Sequence, residues 1–173
     1  MTYEEIREKL KEYIRQTGRE IIEEKDEEDK WFLAIKHGNF VVNLIHPKNQ
    51  RRLVVVFAVE FPSEVLSKIE KLRRDPRKRL QFDFGLRSAL NSPTTAFRIE
   101  FDKKGNPKRY LITKNIFPFH EGFTIKELDE AIQAVVSIGL LGLDYLSSLL
   151  GFEMIESQIS EELTKPPPET MYG

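Results

Sequence analysis

The chain has 173 residues, which is the size of a single domain and enough to bury a hydrophobic core without disulfides or a cofactor. It contains no cysteine, and this excludes disulfides, thiolate metal ligands and a thiol nucleophile. Lysine and arginine number 27 against 28 aspartate and glutamate residues, so the net charge of −1 gives no overall attraction to nucleic acid or anionic lipid, and any such binding has to be local.

The first residues predict a helix. Thr2 followed by Glu5 is a capping box, apolar residues recur at helical spacing over 3–14, and Gly18 stands where a terminating glycine is expected. A cationic stretch followed by an apolar one is missing from this region. Together with the lack of cysteine, this pattern indicates a cytoplasmic protein.

Strands are predicted next. The segment 19–24, with two isoleucines between charges, is interpreted as a short edge strand. Gly38-Asn39 can supply the positive φ values of a two-residue hairpin inside a meander. Leu53–Val59 is apolar at every position, which is typical of an inner strand covered on both faces. The three strands of the meander are expected over 31–36, 40–46 and 52–60.

The second half of the chain predicts helices around a hairpin. Pro76 divides 63–91 into two helices, because proline cannot occupy an uninterrupted helix interior. Strands over 97–102 and 109–113 form the hairpin. The last helix begins at Thr124, with Glu127 completing a capping box, and runs to about residue 150.

These elements predict an α+β domain over residues 1–152 in the order α-β-β-β-α-α-β-β-α. Its antiparallel sheet has about five strands, made of the meander and the hairpin, packed with helices. Residues 153–173 are expected to be a C-terminal extension with an irregular, proline-rich tail at 165–168.

The last helix is apolar almost all round, so we expect it to be buried on one side by the sheet and on the other by its own chain or by a second subunit. Acidic residues at both ends argue against a membrane span, and no membrane interaction is expected. Two glycines would allow a close approach. The candidate dimer seam comprises Val135, Ile138, Gly139, Gly142 and Leu146.

A basic segment at 71–79 is a candidate contact for nucleic acid or an acidic partner. The other interpretation is a solvated helix junction. Phe82 and Phe84 are expected to pack inward and not to stack on bases, which makes nucleic-acid binding the less favoured use. The cations of this segment are Lys71, Arg73, Arg74, Arg77, Lys78 and Arg79.

A loop at 116–123 is rich in phenylalanine and either closes the core or forms an exposed partner-contact patch, with the first preferred. Its rings are Phe117, Phe119 and Phe123. Three histidines without shared spacing and the absence of a phosphate-binding glycine motif give no catalytic, cofactor or metal site, so an enzyme is not expected.

The order of elements resembles the type III secretion chaperone-like fold, a class of small α+β homodimers. Secretion chaperones hold extended client segments on apolar patches, so the resemblance implies a homodimeric, non-enzymatic protein-interaction module of chaperone or adaptor type. The strand at 19–24, the split at Pro76 and the near-neutral charge depart from that pattern. An RNA-associated accessory protein that binds through 71–79 is the alternative. The resemblance is carried by 3–14, 31–61, 65–90, 95–113 and 124–150.

Overall fold

A computed structural model describes residues 2–151. It contains four helices and six strands in the predicted order, and it confirms the α+β class. The helices are α1 (Tyr3–Gln16), α2 (Ser63–Arg73), α3 (Pro76–Leu90) and α4 (Ile125–Leu150). The strands are β1 (Glu20–Asp26), β2 (Lys30–His37), β3 (Phe40–Pro47), β4 (Leu53–Glu60), β5 (Ala96–Phe101) and β6 (Pro107–Ile116).

The strands form one antiparallel sheet in the order β1-β2-β3-β4-β6-β5. It has six strands, one more than the predicted count of about five, because the segment interpreted as a short edge strand after α1 does pair along β2, as the edge strand β1. Gly38 has φ +60°, whereas no residue other than glycine has positive φ in the described chain. The β2–β3 turn therefore uses one positive φ value and not the two expected, which matches a turn with glycine at its first central position.

The capping signals mark the helix ends correctly. Both predicted capping boxes form, at Thr2 with Glu5 and at Thr124 with Glu127. Asp75 caps α3 by accepting hydrogen bonds from two backbone N–H groups, and Pro76 occupies the first turn. The backbone N–H that proline lacks is not needed in the first turn of a helix, so Pro76 can begin α3. The same residue prevents α2 from continuing as one helix through this position.

All four helices pack on one face of the sheet, called here the helix face. Its strand residues alternate with those of the other face, and Phe57, Tyr110 and Trp31 are its largest fully buried members. α4 crosses this face over β4 and β6. The tightest contact is at Gly139, whose carbonyl accepts a 2.6 Å hydrogen bond from the Tyr110 hydroxyl. Burial raises the pKa of Tyr110 well above its usual value.

The opposite face of the sheet, called here the second face, is also apolar and buried. It consists only of strand residues, and none of the four described helices contributes to it. Its eight members are Phe32, Ala34, Val41, Ile45, Val54, Val56, Ala58 and Leu111. β4 is therefore an inner strand with both faces buried, as its continuous apolar sequence predicts.

α4 is, within residues 2–151, the one helix long and apolar enough to cross a bilayer by length and composition. Its inner side lies in the core formed by the sheet and the other helices, which gives an apolar helix the burial it needs. Its outer side is less covered, and Leu141 is 50% exposed. Residues 153–173, predicted as a C-terminal extension, lie outside the described residues.

Candidate protein-interaction surface

The junction between α2 and α3 is organised by one buried arginine. Arg73 is 8% exposed and forms an ion pair with Asp83 of α3. Its guanidinium also donates to the Asn106 side chain and the Gly105 carbonyl, both at 3.2 Å, and lies over the Phe82 ring. Arg73 thus joins α2, α3 and the β5–β6 turn. It is a structural residue and is not available to a ligand.

The remaining cations of the predicted basic segment are on the surface. Arg74 lies 3.9 Å from Glu70, and Arg79 lies 4.0 Å from Asp83, so a carboxylate offsets each of them. A shallow cavity of about 240 Å³ opens between these arginines and the β5–β6 turn. The other three cations, Lys71, Arg77 and Lys78, are exposed. The structure therefore divides the six predicted cations into one internal residue and five surface residues.

Two large apolar side chains next to these cations in α3 are exposed to solvent. Leu80 and Phe84 are 72% and 73% exposed, the highest values among large apolar residues of the described chain. They lie one turn apart on α3, between Arg77 and Arg87 on the same side of the helix. The α3 stripe, as we call Arg77, Leu80, Phe84 and Arg87, is an apolar pair bracketed by guanidinium groups.

The inward orientation predicted for Phe84 is wrong, whereas that for Phe82 is correct. Phe82, Leu86 and Leu90 recur every four residues and form the core side of α3. Phe84 lies two residues after Phe82, about 200° further round the helix. Helical spacing could have separated the two rings, because both cannot share one side of the helix.

α4 supports the stripe from the side. The Tyr145 hydroxyl donates a 3.3 Å hydrogen bond to the Gln81 carbonyl, and its ring packs on the bare backbone of Gly85. A Cβ at position 85 would lie 2.2 Å from the Tyr145 hydroxyl oxygen, so the two helices meet closely only because glycine stands there. Burial, with a smaller contribution from Asp83, raises the pKa of Tyr145.

The residues of the predicted dimer seam face the protein's own core. Val135 and Leu146 are fully buried. Gly139 packs against Phe57, and Gly142 packs against Leu90 and Tyr110. Ile138 is half-buried. Four of the five positions are thus used within the monomer, and a second subunit would have to contact other residues of α4.

The phenylalanine-rich loop is divided between core and surface. Phe123 is buried, and Phe119 is half-buried with its ring centroid 5.2 Å from those of both His46 and Tyr3. Phe117 is 60% exposed. Two of the three rings therefore close the end of the core, and one is available to a partner.

Two of the three histidines, His37 and His46, make hydrogen bonds within the fold. His46 is buried, its Nε2–H donates to the Gln50 carbonyl at 3.0 Å, and burial lowers its pKa. The Nδ1 of His37 accepts a 2.9 Å hydrogen bond from Arg19, and burial also lowers the pKa of His37. Between residues 2 and 151, no three histidine or carboxylate side chains are grouped in a way that could hold a metal ion.

The fold and the α3 stripe define a small α+β domain with one helix-covered antiparallel sheet and an exposed apolar and cationic helix surface. The chain belongs to the DUF2299 family, described as uncharacterized conserved proteins, whose model matches residues 6–146.

Solved structures provide further comparisons. The crystal structure of an uncharacterized protein from Methanothermobacter thermautotrophicus is similar with a TM-score of 0.75 at 20% identity, over 84% of this chain and 99% of that one. A weaker similarity, with a TM-score of 0.44 at 11% identity, covers 92% of this chain and 95% of YbjN, a candidate transcription regulator from E. coli. The first of these similarities shows the fold alone. No curated protein matches this sequence.

Proposed function

We propose that this protein is a non-enzymatic interaction module of adaptor or chaperone type, which binds a helical, acidic segment of a partner protein on the α3 stripe. The observation that carries the proposal is the exposure of Leu80 and Phe84, 72% and 73%, one turn apart between two arginines. Full burial of each side chain contributes about 1.5–3 kcal/mol, so the pair can act as the centre of an interface.

The charges around the stripe favour an acidic partner over a second copy of this chain. Arg77 and Arg87 bracket the apolar pair, and the exposed Lys71 and Lys78 add positive charge to the adjoining surface. A symmetric contact through this surface would place like charges opposite one another, which is destabilising. A partner helix with two apolar residues at i and i+4 and with carboxylates beside them would satisfy both features.

The order of elements supports the same class, because it resembles that of the secretion chaperones, which bind protein segments without catalysis. Homodimerisation, which the resemblance also implies, stays a proposal. Static light scattering on the full chain at micromolar concentration tests it, with a mass near 41 kDa expected and a mass near the 20.3 kDa of one chain contradicting it.

RNA binding is the second candidate function. The observation in its favour is that Phe84 is exposed beside cations, because an aromatic ring next to basic side chains can stack on a base. The internal position of Arg73 and the carboxylates beside Arg74 and Arg79 reduce the positive surface available to phosphates. The two candidates share the surface but differ in ligand, so one set of variants separates them.

The experiment selects displayed helical peptides on the full-length protein and measures the affinity of an enriched peptide by titration. Its sequence-scrambled form and a single-stranded oligouridine are the comparison ligands. One variant removes the apolar pair, a second removes the flanking charges, and a third is a matched control on the exposed N-terminal turn of α4. These variants are Leu80→Ser/Phe84→Ser, Arg77→Ser/Arg87→Ser and Lys126→Ser.

We expect the enriched peptide to carry carboxylates beside an apolar pair, and its affinity to fall about tenfold or more in each double variant. The affinity should not change in Lys126→Ser, and the scrambled peptide should bind at least about tenfold more weakly. Equal binding of the two peptides, or double variants that bind like the parent, would disprove the proposal. Oligouridine binding that is lost with Phe84, while peptides fail to bind, would assign the surface to RNA.

A further inference from the structure

β5 is an edge strand whose outer side has no neighbouring strand within residues 2–151. It lies at one end of the sheet and pairs with β6 on its inner side. In that part of the chain, no backbone hydrogen bond from another element reaches its outer side. The N–H and C=O groups along an open edge can pair with one further strand. β5 therefore presents a surface on which a strand can be added.

The hydrogen bonds of the neighbouring strands show which backbone groups of β5 point outward. The Phe61 N–H donates a 2.9 Å hydrogen bond to the Lys108 carbonyl, so Lys108 faces β4. Successive residues of an antiparallel strand face opposite neighbours, and the odd-numbered residues of β6 therefore face β5. They pair with the even-numbered residues of β5, which leaves the backbone groups of Phe97, Ile99 and Phe101 pointing outward. The register shift beside Phe101 adds its extra residue to β6, so the alternation along β5 is unbroken.

The sequence of β5 is complementary to itself. Its last five residues are apolar, basic, apolar, acidic and apolar, with Ile99 at the centre. In two antiparallel copies centred on Ile99, Arg98 of each lies opposite Glu100 of the other. Phe97 of each then lies opposite Phe101 of the other. Opposite charges in directly opposed positions stabilise a strand pair, whereas centring it on Arg98 or on Glu100 would oppose like charges.

The side chains of β5 have unsatisfied groups that this pairing would satisfy. The Arg98 side chain is 64% exposed, and its Nε lies 3.9 Å from Oε1 of Glu100. Oε2 of Glu100 pairs with Arg109, but Oε1 has no hydrogen-bond partner among the described residues. On the helix face, Phe101 is 43% exposed and Ile99 is only half-buried. A second copy of β5 would bring an arginine to Glu100 and cover the apolar row.

The opposite edge of the sheet, β1, is not suited to pairing with itself. It carries four carboxylates and one lysine among its seven residues, so two copies side by side would repel one another. A register shift between Ile21 and Glu23 also interrupts its regular pairing. Charges and bulges of this kind protect edge strands from association. The comparison favours β5 as the edge that associates.

We propose that two copies of this chain form a dimer in which β5 pairs antiparallel with β5 of the second copy, about a two-fold axis at Ile99. The two sheets then become one continuous sheet, and each opposed pair of outward-facing residues exchanges two backbone hydrogen bonds. A contact of this symmetry is closed, so association ends at the dimer. The inference rests on the homodimerisation proposed above and names its interface. It uses no residue of the α3 stripe.

Four variants of the full chain test the interface by sedimentation equilibrium. Ile99→Pro removes an N–H that points outward in one chain and donates at the two-fold axis of the dimer. Ile99→Ala keeps this N–H and is the matched control for loss of the side chain. Arg98→Glu places like charges opposite Glu100 of the second copy. Lys126→Glu, which makes the same charge change at the exposed start of α4, is its control.

We expect the parent to have the mass of two chains. Its dissociation constant should rise at least about tenfold in Ile99→Pro and in Arg98→Glu. Ile99→Ala should raise the constant less than Ile99→Pro does, and Lys126→Glu should leave it unchanged. A dimer that the proline and glutamate variants leave intact would overturn the β5 interface but not homodimerisation. A monomeric parent would overturn both, and neither result affects peptide binding at the α3 stripe.

A disulfide measurement tests the register, and it decides the question if Ile99→Pro does not fold. The chain has no natural cysteine, so Arg98→Cys and Glu100→Cys each carry one thiol. When the two variants are mixed, the thiols lie at opposed positions with Cα atoms about 4.5–5.5 Å apart, within reach of a disulfide. In either variant alone the Cα atoms lie about 8 Å apart, which is too far.

Under mild oxidation we expect linked dimers to form at least about tenfold faster in the mixture than in either variant alone. Linked dimers of the mixture should contain one chain of each variant, as read by mass spectrometry. Equal rates in the mixture and in the separate variants, or no linked dimer in the mixture, would overturn the proposed pairing.

Discussion

Replacing Gly139 with alanine tests whether α4 packs on its own sheet as tightly as the structure shows. An added Cβ would lie 2.2 Å from Cδ1 of Phe57, a ring that is 0% exposed and has no free space to move into. Overpacking of this kind costs about 1–3 kcal/mol or more, whereas replacing a helical glycine by alanine regains about 1 kcal/mol of helix propensity. The displaced helix would also strain the hydrogen bond from Tyr110 to the Gly139 carbonyl. We expect a net loss of about 1–3 kcal/mol in the free energy of unfolding.

Gly85→Ala is the matched comparison. Its Cβ would also lie 2.2 Å from another group, but that group is the hydroxyl end of Tyr145, a half-buried side chain that can rotate outward. The helix-propensity gain is the same, so we expect a change of less than about 1 kcal/mol.

Urea unfolding followed by the fluorescence of the single tryptophan, Trp31, measures both glycine variants. A Gly139→Ala protein as stable as the parent would refute the packing argument. A midpoint that depended on protein concentration in the parent but not in Gly139→Ala would place Gly139 at a subunit interface after all.

Three further predictions concern single side chains. Arg73→Met should lower the free energy of unfolding by about 2 kcal/mol, because it breaks a largely buried ion pair. Arg74→Met, on the surface, should change it by less than about 0.5 kcal/mol. Equal effects of the two variants in urea unfolding would contradict the internal role of Arg73. Asp75→Ala should lower the free energy of unfolding by about 1 kcal/mol, because α3 loses its N-cap. Asp75→Asn keeps a capping side chain and should lower it much less. Similar losses in both variants would show that the cap is not the cause. His46 has a pKa lowered by burial, so the unfolded chain binds a proton that the folded chain does not, and stability should decline as the pH falls below about 6.5. His46→Gln should flatten the decline of the thermal midpoint between pH 7 and 5, and an unchanged slope would exclude His46 as its source.

Local chemistry made much of the fold predictable. The capping boxes located the starts of α1 and α4, and Pro76 located the break between α2 and α3, because these signals act within one turn of the chain. The unbroken apolar run of β4 indicated an inner strand, since no other place in a sheet buries both faces. The edge strand expected at 19–24 was left out of the count of about five strands because its isoleucines are few and its charges many, and pairing with β2 makes it part of the sheet.

The candidate site was less predictable. The sequence does not distinguish Arg73 from the neighbouring cations. Arg73 is internal because Asn106 and Gly105, more than thirty residues away in the chain, accept hydrogen bonds from it in the folded protein. The glycines of α4 were correctly expected to allow a close approach, but the approaching group is Phe57 and not a second subunit. Leu80 was overlooked and Phe84 was wrongly expected to pack inward, because apolar residues are assumed to be inside until the helix is placed against its neighbours.

From its sequence alone this chain determines where its helices and strands begin, which strand lies inside the sheet, and that no thiol chemistry takes place in it, because those properties depend on residues within a few positions of each other. Tertiary structure decided which cation is internal, which side of α3 meets water, and against what the glycines of α4 lie. In these cases the role of a side chain depends on a partner that folding brings to it from a distant part of the chain. The periodicity of a segment carries no information about which distant residue that partner is.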